Sequence, residues 1–399
     1  MAPIRWYHRA SMETAEQHSD PAVSAALELR TLNAVALSLT PGVGNVTYRQ
    51  LIDACGDPAA VFQSAQHRPE LIRKLPRCKS VLIEELRKAA DLSAAREALR
   101  VAAKVGARPL LLGDSEYPEL LTQLRDRPPL LWIKGSFEEA DARAVAIVGS
   151  RSARDYGLRT ARSIATDLAL AGVTVVSGGA RGVDTEAHEA ALLAGGRTIA
   201  VLGCGIDVVY PDENEELFQR VALNGAVISD FPPGVEPEGR NFPSRNRIIS
   251  GLCWATCVVE AGLSSGALIT ANYALEQGRE VFAVPHMVDR ANGQGCHRLI
   301  KDGAGMVESG ADILEALKFS ASVPAKHRRS ATPIVPPTLS EAQSKIVACL
   351  DAEPRHLDQI ALDCDMPSNE VLVNLYELEI KSVVRVLPGH LYLSNLEDR

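Results

Sequence analysis

Three short loops rich in small residues could bind anions. They are GSRS at 149–152, GGARG at 178–182 and GLSSG at 262–266, and each opens onto a segment with a helical pattern. Backbone N–H groups at a helix N-terminus, together with the positive end of the helix dipole, bind phosphate groups. Glycines that serve only a tight strand-to-helix turn are the alternative for any one loop. Three such loops together favour a phosphate-binding cradle.

A fourth segment, RNFPSRNRII at 240–249, combines arginines with an aromatic ring. Guanidinium groups bind phosphates through paired hydrogen bonds, and a ring such as that of Phe242 offers any base a stacking surface. The alternative places Phe242 in the core and pairs the arginines with the acidic segment at 207–216. The residues alone leave both interpretations open.

The distribution of charge limits how a nucleic acid could bind. The net charge is −8, so positive charge does not cover the protein as a whole. Basic residues concentrate in three segments, at 143–162, 239–250 and 290–301, in which the only acidic residue is Asp155. Binding to nucleic acid must therefore come from a local basic patch.

Familiar cofactor motifs do not occur in the sequence. G-x-G-x-x-G and G-x-x-x-x-G-K-[ST] are both absent, which leaves a dinucleotide cofactor and a P-loop for ATP without support. H-E-x-x-H and C-x-x-C, which would indicate a zinc site, are absent as well. We therefore expect neither a cofactor nor a metal.

Two residue pairs have spacings that could support chemistry but also have simpler explanations. Asp184 and His188 are one helical turn apart, as a general base and its orienting partner would be; a helix cap and a histidine on a helix face explain them at least as well. Cys253 and Cys257 lie in an apolar, strand-like segment, which is typical of buried reduced thiols in a cytosolic protein.

Short apolar runs predict the elements that position these loops. Because the runs do not alternate polar and apolar residues, they indicate strands buried on both faces of a parallel sheet, with helices on each side. In such a doubly wound α/β domain, ligands bind at the carboxyl ends of the strands where the strand order reverses. We assign this domain to residues 106–317. The six runs are at 144–149, 173–178, 198–203, 226–229, 257–261 and 280–285.

The flanking segments differ in pattern. Residues 1–24 are predicted to form a flexible tail, and amphipathic stretches at 25–105 predict a helical domain. Within it, Pro41-Gly42-Val43-Gly44 resembles the turn of a helix-hairpin-helix or SAM-like domain and is either a phosphate contact or a packing turn. No apolar run is long enough to cross a bilayer, and we expect a cytoplasmic protein without membrane contact.

The C-terminal part is predicted to be a separate domain. Residues 318–337 are rich in proline and indicate a linker. Residues 338–399 predict three short helices and a hairpin turned at Pro388-Gly389, the pattern of a winged helix. Its recognition helix, at 368–381, contains three glutamates against one lysine, so we do not expect this winged helix to bind DNA.

Six ordered motifs resemble the DNA-processing protein A family (DprA, also called Smf). This resemblance implies an extended Rossmann-like domain between the helical and winged-helix domains. The motifs are GSR at 149–151, SGGARGVDTEAH at 177–188, GCGIDVVYPDEN at 203–214, FPSRNRIISGL at 242–252, VVEAGLSSGALITANYALEQGREVFAVP at 258–285 and GCHRLIKDGA at 295–304.

The resemblance also implies a function. Members of the family bind single-stranded DNA that enters the cell during natural transformation, protect it and help to load the recombinase RecA, without catalysing a reaction. They act as homodimers and need no nucleotide. The segment at 298–317 lies near the family's dimer and recombinase surface, so we expect Leu299, Ile300 or Met306 to contribute to a dimer.

The site residues follow from the same resemblance. Arg151 matches the family's main phosphate-binding arginine, and Arg240 stands near the position where many relatives have a lysine. Ser265 and Gly266 join the site as part of the third loop. The other residues that match the family's pocket are Gly149, Ser150, Gly178, Gly179, Phe242, Arg245, Asn246 and Arg247.

Two other classes of function are possible. A nucleotide-cleaving phosphoribohydrolase on a similar fold would have a P-G-G-x-G-T-x-x-E loop with a catalytic glutamate. In the comparable place this chain has the loop GLSSG at 262–266, and its Glu260 precedes that loop. The second alternative is an interaction scaffold in which the helical and winged-helix domains bind the partners.

Overall fold

The computed structural model describes residues 21–76, 78–319, 339–350, 355–380, 383–387 and 391–394. The chain divides into two compact units, residues 1–324 and 325–399. Most of the expected tail, most of the expected linker and the hairpin turn at Pro388-Gly389 lie outside the described residues. The first helix begins at Pro21, so the predicted tail extended four residues too far. Proline is well tolerated in the first turn of a helix, where its missing N–H has no partner to lose.

Six helices precede the sheet in the described residues between 21 and 104, and the amphipathic pattern predicts a helical region there. Their apolar residues, such as Leu37, Leu51 and Leu86, belong to one cluster with Trp132 and Leu202 of the following domain. The helical region is therefore packed onto the sheet and has no separate core. The helices are α1 (Pro21–Leu39), α2 (Asn45–Cys55), α3 (Pro58–His67), α4 (Pro69–Arg73), α5 (Ser80–Ala89) and α6 (Ser93–Lys104).

Nine strands among the described residues form a single sheet in the order β1-β2-β6-β5-β4-β3-β7-β8-β9. All neighbouring strands pair in parallel except at one edge, where β1 pairs with β2 and β2 pairs with β6 in the antiparallel direction. The strands are β1 (Arg108–Leu111), β2 (Leu130–Gly135), β3 (Ala144–Val148), β4 (Thr174–Ser177), β5 (Thr198–Val201), β6 (Gly225–Ser229), β7 (Ala255–Val258), β8 (Glu280–Ala283) and β9 (Gly305–Met306).

Helices cover both faces of the sheet, which confirms the doubly wound prediction. In β3, Val145 and Ile147 pack with α8, α9 and α14, whereas Ala146 and Val148 pack with α11, α12 and α13. The helices are α7 (Glu119–Thr122), α8 (Asp155–Leu170), α9 (Val183–Leu193), α10 (Glu215–Leu223), α11 (Asn241–Gly251), α12 (Gly266–Glu276), α13 (Gln294–Lys301) and α14 (Gly310–Ala316).

The strand order reverses beside β3. From this strand the chain builds one side of the sheet through β4, β5 and β6, and it then returns to place β7 on the other side. The carboxyl ends of β3 and β7 therefore flank the crevice where open α/β sheets bind ligands. Two of the three anion-binding loops predicted from the sequence follow these two strands.

The C-terminal unit has its own core, which includes Ile346, Leu375, Leu378 and Tyr392. Among the residues of this unit that the structure describes, three helices and a three-stranded sheet agree with the predicted winged helix, and the short β10 is an addition to the predicted hairpin. The elements are α15 (Glu341–Ala348), α16 (Leu357–Asp363), α17 (Ser368–Ile380), β10 (Arg355–His356), β11 (Val384–Leu387) and β12 (Leu391–Ser394). Across the described segments of both units, no helix is long and apolar enough to cross a membrane.

Candidate nucleic-acid interface

A crevice of about 610 Å³ opens at the reversal of strand order. It lies between the loops that follow β3 and β7 and the first turns of α11 and α12. Eight of the residues predicted to bind DNA line it. They are Gly149, Ser150, Arg151, Phe242, Arg245, Asn246, Ser265 and Gly266.

The loop after β3 is held in place by close backbone contacts. The backbone N–H of Ser150 donates to the carbonyl oxygen of Glu260 over 2.8 Å. Gly182 has a φ of +78°, and a Cβ atom there would lie 2.4 Å from the carbonyl oxygen of Ser150. Glycine is required at this approach, and the loop therefore presents Arg151 from a fixed backbone.

Arg151 and Phe242 form the chemically distinctive pair of the crevice. The guanidinium carbon of Arg151 lies 4.8 Å from the centre of the Phe242 ring. Arg151 is exposed, and its guanidinium makes no ion pair or hydrogen bond with any residue that the structure describes. Phe242 is half-buried and belongs to none of the core clusters, so the core interpretation of this ring is wrong. An unpaired cation beside a partly exposed ring can bind a phosphate and an adjacent base.

The opposite wall is the N-terminus of α12. The Ser265 hydroxyl accepts from the backbone N–H of Ala267 over 3.3 Å, which caps the helix. Space beside the α-carbon of Gly266 is open, and the Asn246 side-chain amide donates to its carbonyl oxygen over 3.3 Å. This helix end lines the crevice, and the positive end of the helix dipole there favours an anion.

Arg245 lies at the base of the crevice and is almost completely buried. Its Nη1 donates to the carbonyl oxygen of Gly178 over 2.8 Å. Burial lowers the pKa of Arg245 to about 10, and the attraction of Asp184 opposes that change. Burial also raises the pKa of Asp184, against the attraction of Arg245. The hydrogen bond to Gly178 holds the loop after β4, so Arg245 also positions that loop, and its predicted contact with DNA stays a prediction.

Arg247 and Arg240 do not line the crevice. Arg247 is buried and donates from Nη2 to Asp230 over 2.6 Å and from Nη1 to the carbonyl oxygen of Asp126 over 3.0 Å. Arg240 is exposed and pairs with Glu238 over 2.6 Å. The predicted alternative, in which these arginines pair with the acidic segment at 207–216, is also wrong.

Gly178 and Gly179 support the crevice from behind. A Cβ atom at Gly178 would lie 2.8 Å from both the Arg245 guanidinium and the Asp184 carboxylate. Gly179 has a φ of +66° and lies against the ring of Phe218. Their backbone shapes the site, but neither residue lines the crevice.

Sequence profiles of known families match the two units of the chain. The profile described as DNA recombination-mediator protein A matches residues 108–318. The profile described as DprA winged helix domain matches residues 330–390. The chain belongs to the DNA recombination-mediator protein A family. Members of this DprA family process and bind DNA and are not catalytic enzymes.

Individual DprA relatives match over most of their length. Protein Smf of Synechocystis sp. is 37% identical over 313 residues, which cover 70% of this chain and 78% of that protein. DNA processing protein DprA of Streptococcus pneumoniae is 43% identical over 206 residues, 52% of this chain and 73% of the relative. The X-ray structure of the pneumococcal DprA superimposes with a TM-score of 0.60 and 32% identity, covering 72% of this chain and 96% of that structure.

The geometry does not support the phosphoribohydrolase alternative. Glu260, the candidate catalytic carboxylate of the phosphoribohydrolase alternative, is buried and does not line the crevice. Its Oε2 lies 3.4 Å from the backbone N–H of Arg154, at the start of α8. His188 is hydrogen-bonded to the Thr198 hydroxyl at 2.7 Å and not to Asp184, so the general-base pair that their spacing could support does not form.

Tyr210 is a crevice residue that the sequence analysis missed. Its ring centre lies 5.6 Å from that of Phe242. The signal was available, because Tyr210 lies in the loop after β5 and the carboxyl ends of parallel strands meet at one edge of the sheet. In this DprA family member, Tyr210 extends the aromatic surface beside Arg151.

His188 predicts a specific response of stability to acid. Burial and the nearby Arg245 lower the pKa of His188 to about 3, whereas an unfolded histidine has a pKa near 6.5. As the pH falls below about 6.5, the unfolded chain binds a proton that the folded protein does not, so stability is lost. Between pH 7.5 and 4.5 this loss amounts to about 2–3 kcal/mol.

Replacement of His188 by glutamine removes that contribution. Urea unfolding at each pH should show a smaller loss of stability between pH 7.5 and 4.5 for His188→Gln than for the wild type. The same change at the exposed His67 is the control and should leave the wild-type pH dependence. Equal pH dependence in His188→Gln and the wild type would show that His188 is not held neutral.

Proposed function

We propose that this protein binds single-stranded DNA in the crevice at the carboxyl ends of β3 and β7. The observation that supports the proposal most strongly is the unpaired Arg151 guanidinium above the half-buried Phe242 ring. The guanidinium binds a phosphate, the ring stacks on the neighbouring base, and the positive end of the α12 dipole attracts the anion. These three groups together match one nucleotide of a flexible strand.

The proposed ligand is a single strand because Phe242 needs access to the face of a base. In a duplex the faces of the bases are stacked on one another, so the ring could stack only on an unpaired base. Stacking on a base and binding of a phosphate are tolerant of sequence. We therefore expect little preference among sequences.

Competition between single-stranded and duplex oligonucleotides tests this proposal. We expect the single strand to bind more tightly, with an affinity that falls by about 0.7 log units per log unit of salt for each phosphate contacted. Fluorescence anisotropy at several salt concentrations measures both quantities. A duplex preference, or an affinity that does not respond to salt, would contradict the proposed site.

Family membership supports a more specific role. We propose that the bound strand is protected and passed to a recombinase of the RecA type during natural transformation. We also propose a homodimer, which the exposed Met306 on the edge strand β9 supports. Leu299 is buried in the core and Ile300 packs against the same cluster, so these two of the three expected dimer residues are less accessible.

The winged helix is proposed to bind a protein and not DNA. Helix α17, which would enter the major groove of a duplex, has exposed Leu372, Val373 and Tyr376 on its surface together with Glu377. Apolar side chains beside carboxylates suit a protein surface, whereas the carboxylates repel phosphates.

Truncation measures what the winged helix contributes to binding. A chain that ends at Pro337 should retain the wild-type affinity for single-stranded DNA, because it lacks only the acidic domain. A second chain that ends at Lys318 also lacks the basic segment 326–329 and separates the effect of that segment. The fragment 338–399 should not bind duplex DNA at physiological salt. Micromolar or tighter binding by this fragment would show that the winged helix contacts DNA.

A further inference from the structure

A second crevice, of about 850 Å³, lies between the helical region and the sheet domain. Its walls come from α2, from the loop that follows α7, and from the C-terminal end of α12. Arg49, Arg125 and Arg279 are the basic residues that line it. These three residues are far apart in sequence, and the fold alone brings them together.

The three arginines share an unusual property: none makes an ion pair with a carboxylate among the residues that the structure describes. Arg49 donates to the carbonyl oxygen of Arg125 over 3.0 Å, and the guanidinium of Arg125 is exposed. Arg279 donates to the carbonyl oxygen of Leu120 and to the side chain of Gln123, both over 3.2 Å. Its Nε–H is buried without an acceptor.

Acidic side chains do not neutralise this cluster. Asp126 lines the crevice, but its carboxylate lies 3.3 Å from Arg247, which is outside the crevice. Glu276 is the other acidic residue of the lining. Three arginines with incomplete hydrogen bonding therefore face one available carboxylate. This excess of positive charge favours an anionic ligand with several oxygen acceptors.

Helix α12 connects this crevice to the DNA site. Ile269 lines the first crevice, whereas Tyr273 and Gln277 line the second. Residues spaced by four lie on one face of a helix, so these three side chains form a continuous row. At 1.5 Å per residue the row is about 12 Å long, a distance that a few nucleotides can span. Tyr273 is half-buried on this row.

The glycine-containing turn at 41–44 lies directly before the helix that borders this second crevice. Gly44 caps α2, and Val46, Arg49 and Gln50 of that helix line the crevice. The side-chain amide of Asn45 donates to the carbonyl oxygen of Asp126 over 3.3 Å, which holds the turn beside the opposite wall. The turn therefore positions Arg49 at this crevice.

We propose that a single strand bound at Arg151 and Phe242 continues along α12 into the second crevice. There Arg49, Arg125 and Arg279 bind its phosphates, and Tyr273 supplies a stacking surface for one base. This inference rests on the proposed function and extends it, because it assigns the strand a path along α12 and gives the helical region a DNA-binding role.

The dependence of affinity on oligonucleotide length tests the extension. A strand of about 2 nucleotides is too short to cross the row between the crevices and occupies the first site alone, whereas one of about 16 nucleotides reaches both crevices. The double variant Arg49→Gln/Arg125→Gln should bind the short strand like the wild type and the long strand about 10-fold more weakly. For the long strand, the slope of log affinity against log salt concentration should be smaller by about 1.4 in this variant, because two phosphate contacts are lost. Tyr273→Ala should likewise weaken only the long strand.

The matched control is Arg68→Gln/Arg96→Gln, which makes the same charge change at exposed positions of the helical region outside the crevice. It should bind both strands like the wild type. Melting temperatures establish that each variant is folded, and Arg125→Gln alone, at an exposed side chain, replaces the double variant if that one unfolds.

The outcomes separate this inference from the proposed function. If the crevice variants retain the wild-type gain in affinity with length, or weaken the short strand equally, the extension is wrong. The proposed function survives that result as long as Arg151→Ala weakens the short strand. If Arg151→Ala leaves the short strand unaffected, the proposed function itself is wrong.

Discussion

Arg151→Ala should weaken the binding of single-stranded DNA by about 10- to 100-fold. The guanidinium has no protein acceptor among the described residues, so its hydrogen bonds go to the ligand. A charge-assisted hydrogen bond to phosphate contributes about 1.5–3 kcal/mol. The melting temperature should change little, because the exposed side chain contacts the protein mainly through the Phe242 ring. Anisotropy titrations and thermal unfolding measure the two effects.

Arg162→Ala is a matched control for this prediction. Arg162 belongs to the same basic segment, is half-exposed and pairs with Glu186. It does not line the crevice, and its replacement should change the affinity less than threefold. Equal losses of affinity in the two variants would mean that the segment acts through its overall charge and that Arg151 has no specific site.

Arg245→Ala should destabilise the protein by about 1–3 kcal/mol, the usual cost of leaving a buried hydrogen-bonding group without its partner. The substitution deprives the carbonyl oxygen of Gly178 of its donor and removes the attraction of a nearby cation from the buried Asp184 carboxylate. Urea unfolding measures the loss. Removal of both charges in Arg245→Ala/Asp184→Ala should recover part of the stability, because no single buried charge then remains.

The exposed Arg240 provides the comparison. Arg240→Ala breaks only the surface ion pair with Glu238 and should change the stability by less than about 0.5 kcal/mol. If Arg245→Ala has the same urea midpoint of unfolding as the wild type but binds DNA more weakly, Arg245 binds DNA directly, as the sequence analysis had predicted.

The sequence was sufficient to predict which loops form the site. Apolar strands without alternation indicate a sheet covered on both faces, and the loops at their carboxyl ends then converge. The predicted Gly149, Ser150 and Arg151 loop and the Ser265 and Gly266 loop do meet across one crevice. This prediction needed only local patterns and one general rule about parallel sheets.

The sequence was not sufficient to assign the arginines of 240–249. Arg245 and Arg247 are two residues apart in α11, so their side chains point about 200° apart around the helix axis. They therefore cannot both face the crevice. Treating the segment as a cluster of charges ignored this helical phase. The acid that holds Arg247 away from the site, Asp230, is visible only in the folded chain.

Tertiary packing explains the remaining differences. Amphipathic patterns predicted the helices of 25–105 but not the surface on which they pack, and their apolar faces share a core with the sheet. The second crevice has the same origin, because Arg49, Arg125 and Arg279 come from three separate segments. Local sequence patterns do not show that these three arginines lie close together in the folded chain.

Photochemical crosslinking tests the central claim most directly. A single-stranded oligonucleotide that contains 5-iodouracil is irradiated with the full-length protein, and the modified residues are identified by mass spectrometry. We predict crosslinks at Phe242 and Tyr210, the aromatic rings beside Arg151. Both crosslinks should be lost in Arg151→Ala when the DNA concentration is below the dissociation constant of that variant. Crosslinks confined to the winged helix, with none between residues 203 and 252, would contradict the assignment of this crevice as the DNA site.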